Sequence, residues 1–237
     1  MFNKKTRLTA TADTAEAYDQ YFEQVKAVGI PRARYRTKKA LTLIKSKKGK
    51  VLSVGIGGLG EANELKAANF DVVLCDISQA AVDHAEDSGF EAVVCDITKE
   101  NLTSQFDYIF ALEVLEHLIN PLQALGNLKS ALKPDGKIII SLPNEFNLRA
   151  RLSILFGRPP FGGHDCHHLR FFNEKFAEKM FTENDLKILK KAYCPSIPLW
   201  NKLSICVGEF LMKALPNLFS TSIIWVLENE TKENTLE

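Results

Sequence analysis

No uninterrupted apolar run in the 237 residues approaches the ~20 needed for a helix to cross a bilayer, so stable membrane insertion is not expected. The opening stretch MFNKKTRLTATADTAEAYDQ is basic but has no apolar core, so it does not read as a secretory signal. An excess of one charge is also missing. Thirty Lys and Arg against twenty-nine Asp and Glu give a net charge of +1, which provides no overall pull toward nucleic acid or an anionic surface. The five cysteines, Cys75, Cys95, Cys166, Cys194 and Cys206, are odd in number and scattered without a CxxC pair, which argues against a disulfide framework and a structural zinc site. Internal repeats and low-complexity tracts are absent. With hydrophobic residues at 46% and charged residues at 25%, the remaining class is a soluble globular protein with reduced thiols and a cytoplasmic location.

What is present changes character at residue 51. The first fifty residues predict a helical extension, with one helix in AEAYDQYFEQVKAV and, after the break at Pro31, another in RARYRTKKALTLIKSKK. From Val51 onward short β-rich runs alternate with helical stretches, the pattern of βαβ units around a parallel sheet buried on both faces. Strands are expected at 51–55, 71–76, 91–96, 106–112, 137–142, within DLKILKKAY, and at 222–227. The fold class is therefore α/β, a doubly wound and mostly parallel seven-stranded sheet spanning 51–228, followed by a polar tail at 229–237. KPDG at 133–136 predicts a turn before the fifth strand. The segment 144–170, with FGRPPFGG, predicts an irregular insertion that covers a site at the strand ends. Apolar residues at helical spacing over 199–215 predict an amphipathic helix that packs on the core or the lid, with contact at a membrane surface as the alternative.

The first strand runs directly into Gly55-Ile56-Gly57-Gly58-Leu59-Gly60, and Asp76 ends the second strand. Glycines let the backbone turn tightly and approach a ligand, a helix N-terminus favours anionic groups, and a carboxylate on the next strand can accept from both ribose hydroxyls. The arrangement points to an adenosine ligand, and both dinucleotides and S-adenosylmethionine satisfy it. A second carboxylate, Asp96, closes the third strand beside Ile97, where it could meet an adenine amine. The fourth strand leads into Leu112-Glu113-Val114-Leu115-Glu116-His117-Leu118-Ile119-Asn120-Pro121.

With these residues in order, the chain over about residues 50 to 145 resembles the class I methyltransferases, particularly the branch with ubiquinone-biosynthesis O-methyltransferases and bacterial glycan-cluster enzymes. VLSVGIGGLG resembles that family's first motif, LCDIS the second, VVCDIT the third, ALEVLEHLINP the fourth, and LKPDGKIIISLPN the segment around the fifth strand. The resemblance implies S-adenosylmethionine as cofactor. By it Gly55 and Gly57 border the methionine part, Asp76 holds the ribose, Ile77 packs the adenine, Asp96 meets the adenine amine, Leu112 with Glu113 lines the pocket, and Ile97 is a further cofactor-binding residue. Two departures stand out: Ser53 occupies a position that is commonly acidic, and the third glycine, Gly60, comes one residue late. Arg36 falls about where related O-methyltransferases supply a cofactor-binding arginine, although a solvated residue on a basic helix is the simpler reading of it.

Methyl transfer is an in-line displacement at a sulfonium methyl, so the protein aligns the acceptor and, for a hydroxyl or amine, removes a proton. Histidine suits that task near neutral pH. His168, in a segment HLRFF that resembles one following the fifth strand in glycan-cluster relatives, is the first candidate and His117 the second, with a packing role at a helix start as the alternative for His117. His164, Asp165, Cys166, His167 and His168 carry metal-ligand atoms, but adjacent residues in extended chain point to opposite sides, so no metal is assigned. The expected function is transfer of a methyl group, most simply to oxygen, on a small-molecule or glycan/lipid-linked acceptor. An NAD-dependent oxidoreductase is the alternative, weakened because its Tyr and Lys spacing occurs only at Tyr35 and Lys39, ahead of the glycine turn. A third reading is a binding module that keeps the fold without turnover. Nucleic-acid modification lacks an Asn/Asp-Pro-Pro-Tyr base pocket and is not expected.

Overall fold

Each β-rich run from residue 51 onward forms a strand. The computed structural model describes residues 18–20, 22–23, 31–46, 48–99, 102, 105–158, 168–195 and 202–230. Most of the first expected helix, part of the expected cover segment with His164 and His167, and the end of the polar tail lie outside these residues. In chain order the elements are α1 (Pro31–Leu41), β1 (Lys50–Val54), α2 (Gly60–Ala67), β2 (Asp71–Asp76), α3 (Gln79–Asp87), β3 (Glu91–Val94) and β4 (Phe106–Leu112). A 3-10 turn at Leu115–His117 leads to α4 (Pro121–Ser130), β5 (Leu132–Pro143), α5 (Leu148–Leu155), α6 (Glu174–Thr182), β6 (Leu186–Pro195), α7 (Lys202–Ala214), α8 (Pro216–Phe219) and β7 (Ser220–Asn229).

The strands form one sheet in the order β3-β2-β1-β4-β5-β7-β6, and β7 runs antiparallel to both its neighbours. Strand alternation builds two cores. Leu52, Val54, Ile138, Ile140 and Leu142 face one side, joined by Phe181 and Trp225, while Val51, Leu74, Phe110 and Ile139 face the other with Leu65 and Val82. Each such buried side chain contributes about 1.5–3 kcal/mol relative to exposure. Side-chain oxygens of Ser78, Asn120, Asn147 and Asn173 accept from backbone N–H groups in the first turns of α3, α4, α5 and α6, fixing where those helices begin.

Three expectations change. KPDG is not a turn ahead of the strand but an outward loop within it: Leu132 pairs with Phe106 and Lys137 with Tyr108, so the intervening residues bulge. A Cβ on Gly136 would lie 2.9 Å from the Phe106 carbonyl oxygen, which is why glycine stands there. The insertion 144–170 is not irregular throughout, because Asn147 caps a helix, α5, that leaves Leu155 and Phe156 exposed. Among the described residues of α7, Gly208 is buried whereas Val207 and Phe210 are exposed, so these two apolar side chains do not pack on the core.

Candidate functional site

The sheet order reverses at β1, which pairs with β2 on one side and β4 on the other. In open α/β sheets the crevice beyond the carboxyl ends of such neighbours receives ligands. The turn after β1 opens onto it. Gly55 and Gly57 both have positive φ, 85° and 49°, and the space beside Gly57 is empty to 4 Å around a built Cβ. Leu59 is the unexpected member. Its φ of 58° is left-handed, so the conformation that a third glycine would adopt is taken by a buried leucine, and Gly60 instead opens α2.

Asp76 reaches back to this turn: Oδ2 accepts from the Ile56 N–H at 2.8 Å and Oδ1 from the Ser78 N–H at 3.0 Å. Burial raises its pKa above the ordinary carboxylate value, against those backbone hydrogen bonds. A carboxylate offers about four lone-pair directions, so Asp76 keeps room for a ligand hydroxyl beside these backbone donors. Asp96 binds its own turn, with Oδ1 accepting from the Thr98 N–H and hydroxyl and Oδ2 paired with Lys99 at 2.8 Å. Burial pushes Asp96 up, but Lys99 and Thr98 outweigh it and leave it below its ordinary value. Ile97 and Leu112 are buried, and Ile77, directly after Asp76, is half-buried.

On the α1 and α2 face two serines at the strand ends each hold a glutamate. Ser53 donates to Glu61 Oε1 at 2.8 Å, and Ser141 donates to Glu113 Oε1 at 2.8 Å. Burial pushes Glu61 up to about 7 even though the Ser53 hydrogen bond and the Arg36 charge lower it. Arg36, read from sequence as solvated, is instead largely buried: its guanidinium lies 3.7 Å from Glu113 Oε2, and its Nε has no hydrogen-bond partner among the described residues. α1 packs on α2, and this packing turns Arg36 inward. A buried cationic N–H without an acceptor suits an anionic ligand group such as a carboxylate.

The other end of the crevice is acidic and holds both predicted histidines. The rings of His117 and His168 meet edge to face with centroids 4.8 Å apart, although 51 positions separate them. The segment after His168 is clamped to the 3-10 turn: the Leu169 and Arg170 N–H groups donate to the Glu116 carbonyl at 2.9 and 3.2 Å, and the Arg170 side chain donates to the carbonyls of Leu118 and Ile119. Glu145 Oε1 lies 2.5 Å from His168 Nδ1. Glu116 is wholly buried, neither carboxylate oxygen has a hydrogen-bond partner among the described residues, and Oε1 is 4.0 Å from His117 Nε2. Burial first, then the neighbouring Glu113 charge, raises Glu116 well above its ordinary value, and burial likewise raises Glu145.

Sequence reasoning did not single out Glu61, Glu116 or Glu145. Glu116 carries a signal in hindsight, an acid directly before His117 in a stretch that otherwise reads as apolar. Glu61 and Glu145 carry none, because what matters is their partners Ser53 and His168, and partners 8 and 23 positions away are set by the fold.

Comparison with known proteins agrees with this geometry. A family model described as a methyltransferase domain matches residues 22–191. The chain is 31% identical over 149 residues to the ubiquinone biosynthesis O-methyltransferase of Rickettsia felis, a match covering 58% of this chain but 60% of that protein, short of two thirds of its length. It is 30% identical over 197 residues to the ubiquinone biosynthesis O-methyltransferase of Rickettsia akari, covering 76% of this chain and 77% of that one. Among solved structures, the N-methyltransferase NodS of Bradyrhizobium japonicum in complex with S-adenosyl-l-homocysteine shares the fold, with a TM-score of 0.60 and 16% identity over 90% of this chain and 98% of NodS.

Proposed function

The chain belongs to the class I S-adenosylmethionine-dependent methyltransferases, and on that premise we propose that it transfers the cofactor's methyl group to a hydroxyl oxygen of a small-molecule or glycan- or lipid-linked acceptor. The observation that carries this reading is the His117–His168 pair, backed by Glu145, at one end of the crevice whose other end holds the glycine turn and Asp76. An O–CH3 bond forms as the S–CH3 bond breaks, the hydroxyl proton leaves, and S-adenosylhomocysteine is released. Gly55 and Gly57 let the methionine portion approach the backbone, with Arg36 on its carboxylate. Asp76 takes the ribose hydroxyls, and Ile77, Asp96, Ile97 and Leu112 surround the adenine. Glu113 stands between the two ends of the crevice, paired with Arg36. His168 and His117 are the catalytic residues, drawing the proton from the acceptor. Glu145 and His168, from the described ends of segment 144–170, wall the acceptor end.

Support for oxygen comes from the relatives named O-methyltransferases at about 30% identity and from two imidazoles, the side-chain type most often used as a general base. The dinucleotide alternative has no place in a chain of this family. The test is transfer of labelled methyl from S-adenosylmethionine to a panel of catechol, phenol, sugar and amine acceptors. Oxygen-methylated product that falls at least about tenfold in His168→Ala, with S-adenosylhomocysteine affinity kept, is expected. Transfer only to amines, or full turnover in both His168→Ala and His117→Ala, contradicts it.

A further inference from the structure

Glu116 is a buried carboxylate that the fold leaves unanswered. Its side chain has no exposed surface, and both oxygens lack hydrogen-bond partners among the described residues. A carboxylate taken out of water without a partner is costly unless it is protonated or meets a cation. The groups gathered around it are ligand types. One atom each from Glu116, His117 and His168 lie within 4.8 Å of one another. Behind His168 stands Glu145, whose Oε1 holds Nδ1 at 2.5 Å, the outer carboxylate that commonly fixes a ligating imidazole and turns its Nε2 to a metal.

From this geometry we infer that Glu116, His117 and His168 bind one divalent transition-metal ion at the acceptor end of the crevice. Two imidazoles and one carboxylate form a donor set for zinc, manganese or iron(II), with positions left open for other ligands. At metal–nitrogen distances of about 2.1 Å, ligand atoms around a tetrahedral ion sit about 3.4 Å apart, so atoms now within 4.8 Å of one another close by up to roughly 1.4 Å on binding. The sequence offered adjacent histidines at 164–168 as the natural cluster. Of that group only His168 lies among the described residues, and the fold brings it against two residues of the fourth-strand motif, with the clamp of Leu169 and Arg170 on the Glu116 carbonyl holding the two segments together. The site deepens the proposed reaction and rests on it only in assigning this pocket to the acceptor: a hydroxyl at an open position would have its pKa lowered by the ion and release its proton to solvent, so with the ion bound the two imidazoles hold the metal, and direct proton transfer to them belongs to the ion-free site.

The test is calorimetric titration of chelator-stripped protein with Zn2+ and with Mn2+, in the wild type, Glu116→Gln and His168→Ala, with S-adenosylhomocysteine titrated into the same preparations. One equivalent of ion is expected in the wild type, held at least about tenfold more weakly in each variant, while S-adenosylhomocysteine affinity stays within about twofold and reports an intact fold. Absence of saturable ion binding, or equal affinity in the wild type and both variants, overturns the site. Ion binding without S-adenosylhomocysteine binding supports the metal site and contradicts the methyltransferase reading; the reverse does the opposite.

Discussion

The Ser53 hydroxyl donates to Glu61 Oε1 at 2.8 Å, so the carboxyl group missing from the end of β1 is present across from it on the first turn of α2. Burial pushes Glu61 up to about 7 from 4.5. Below pH 4.5 it is protonated in both folded and unfolded chains. Between 4.5 and 7 only the folded chain keeps the proton, so this group makes stability fall as pH rises, by up to about 3 kcal/mol, and the loss levels off above 7. Glu61→Gln keeps an acceptor for Ser53 and removes the titration. Thermal unfolding of the two proteins at a series of pH values should give similar Tm near pH 4.5 and a higher Tm for the variant at pH 8. Parallel curves would show that Glu61 is not held neutral.

Arg36 has a buried Nε without a partner among the described residues and a guanidinium 3.7 Å from Glu113. A lysine there keeps the charge but loses the planar fork that meets a carboxylate. Arg36→Lys should weaken S-adenosylmethionine by about tenfold or more, corresponding to roughly 1.4 kcal/mol. Unchanged affinity in calorimetry would remove Arg36 from the cofactor site.

Leu59 combines burial with a left-handed backbone, φ 58°. Removing its side chain costs packing in either Leu59→Ala or Leu59→Gly, but only glycine relieves the backbone, by about 1 kcal/mol. Urea unfolding should therefore find Leu59→Gly the more stable of the two, the reverse of the usual order near a helix. If alanine proves more stable, the left-handed turn is not strained.

The sheet was legible because its information is local. Runs such as DVVLCD and KIIISL announce buried strands through their own composition, and glycine followed by an acid at the next strand end marks the ligand crevice. Leu59 was not legible, since a leucine in a left-handed turn contradicts local preference and is tolerated only because its side chain is buried. Arg36 was misread for the same reason in reverse: a basic helix reads as solvated until its packing against α2 is known. The Glu145–His168 contact and the convergence of His117 on His168 depend on the backbone clamp at Glu116, which no periodicity encodes.

Binding of the adenosyl cofactor at the β1 crevice through Asp76 underlies the proposed function, and it is tested by calorimetric titration with S-adenosylmethionine, S-adenosylhomocysteine and NADH, in the wild type and in Asp76→Ala. Because Asp76 also accepts from Ile56 and Ser78, thermal unfolding of the variant is followed in parallel. Saturable binding of both adenosyl ligands, none of NADH, and at least about tenfold weaker binding in a variant that remains folded are expected. Binding of NADH instead, or equal affinity for the adenosyl ligands in a folded Asp76→Ala, would contradict it.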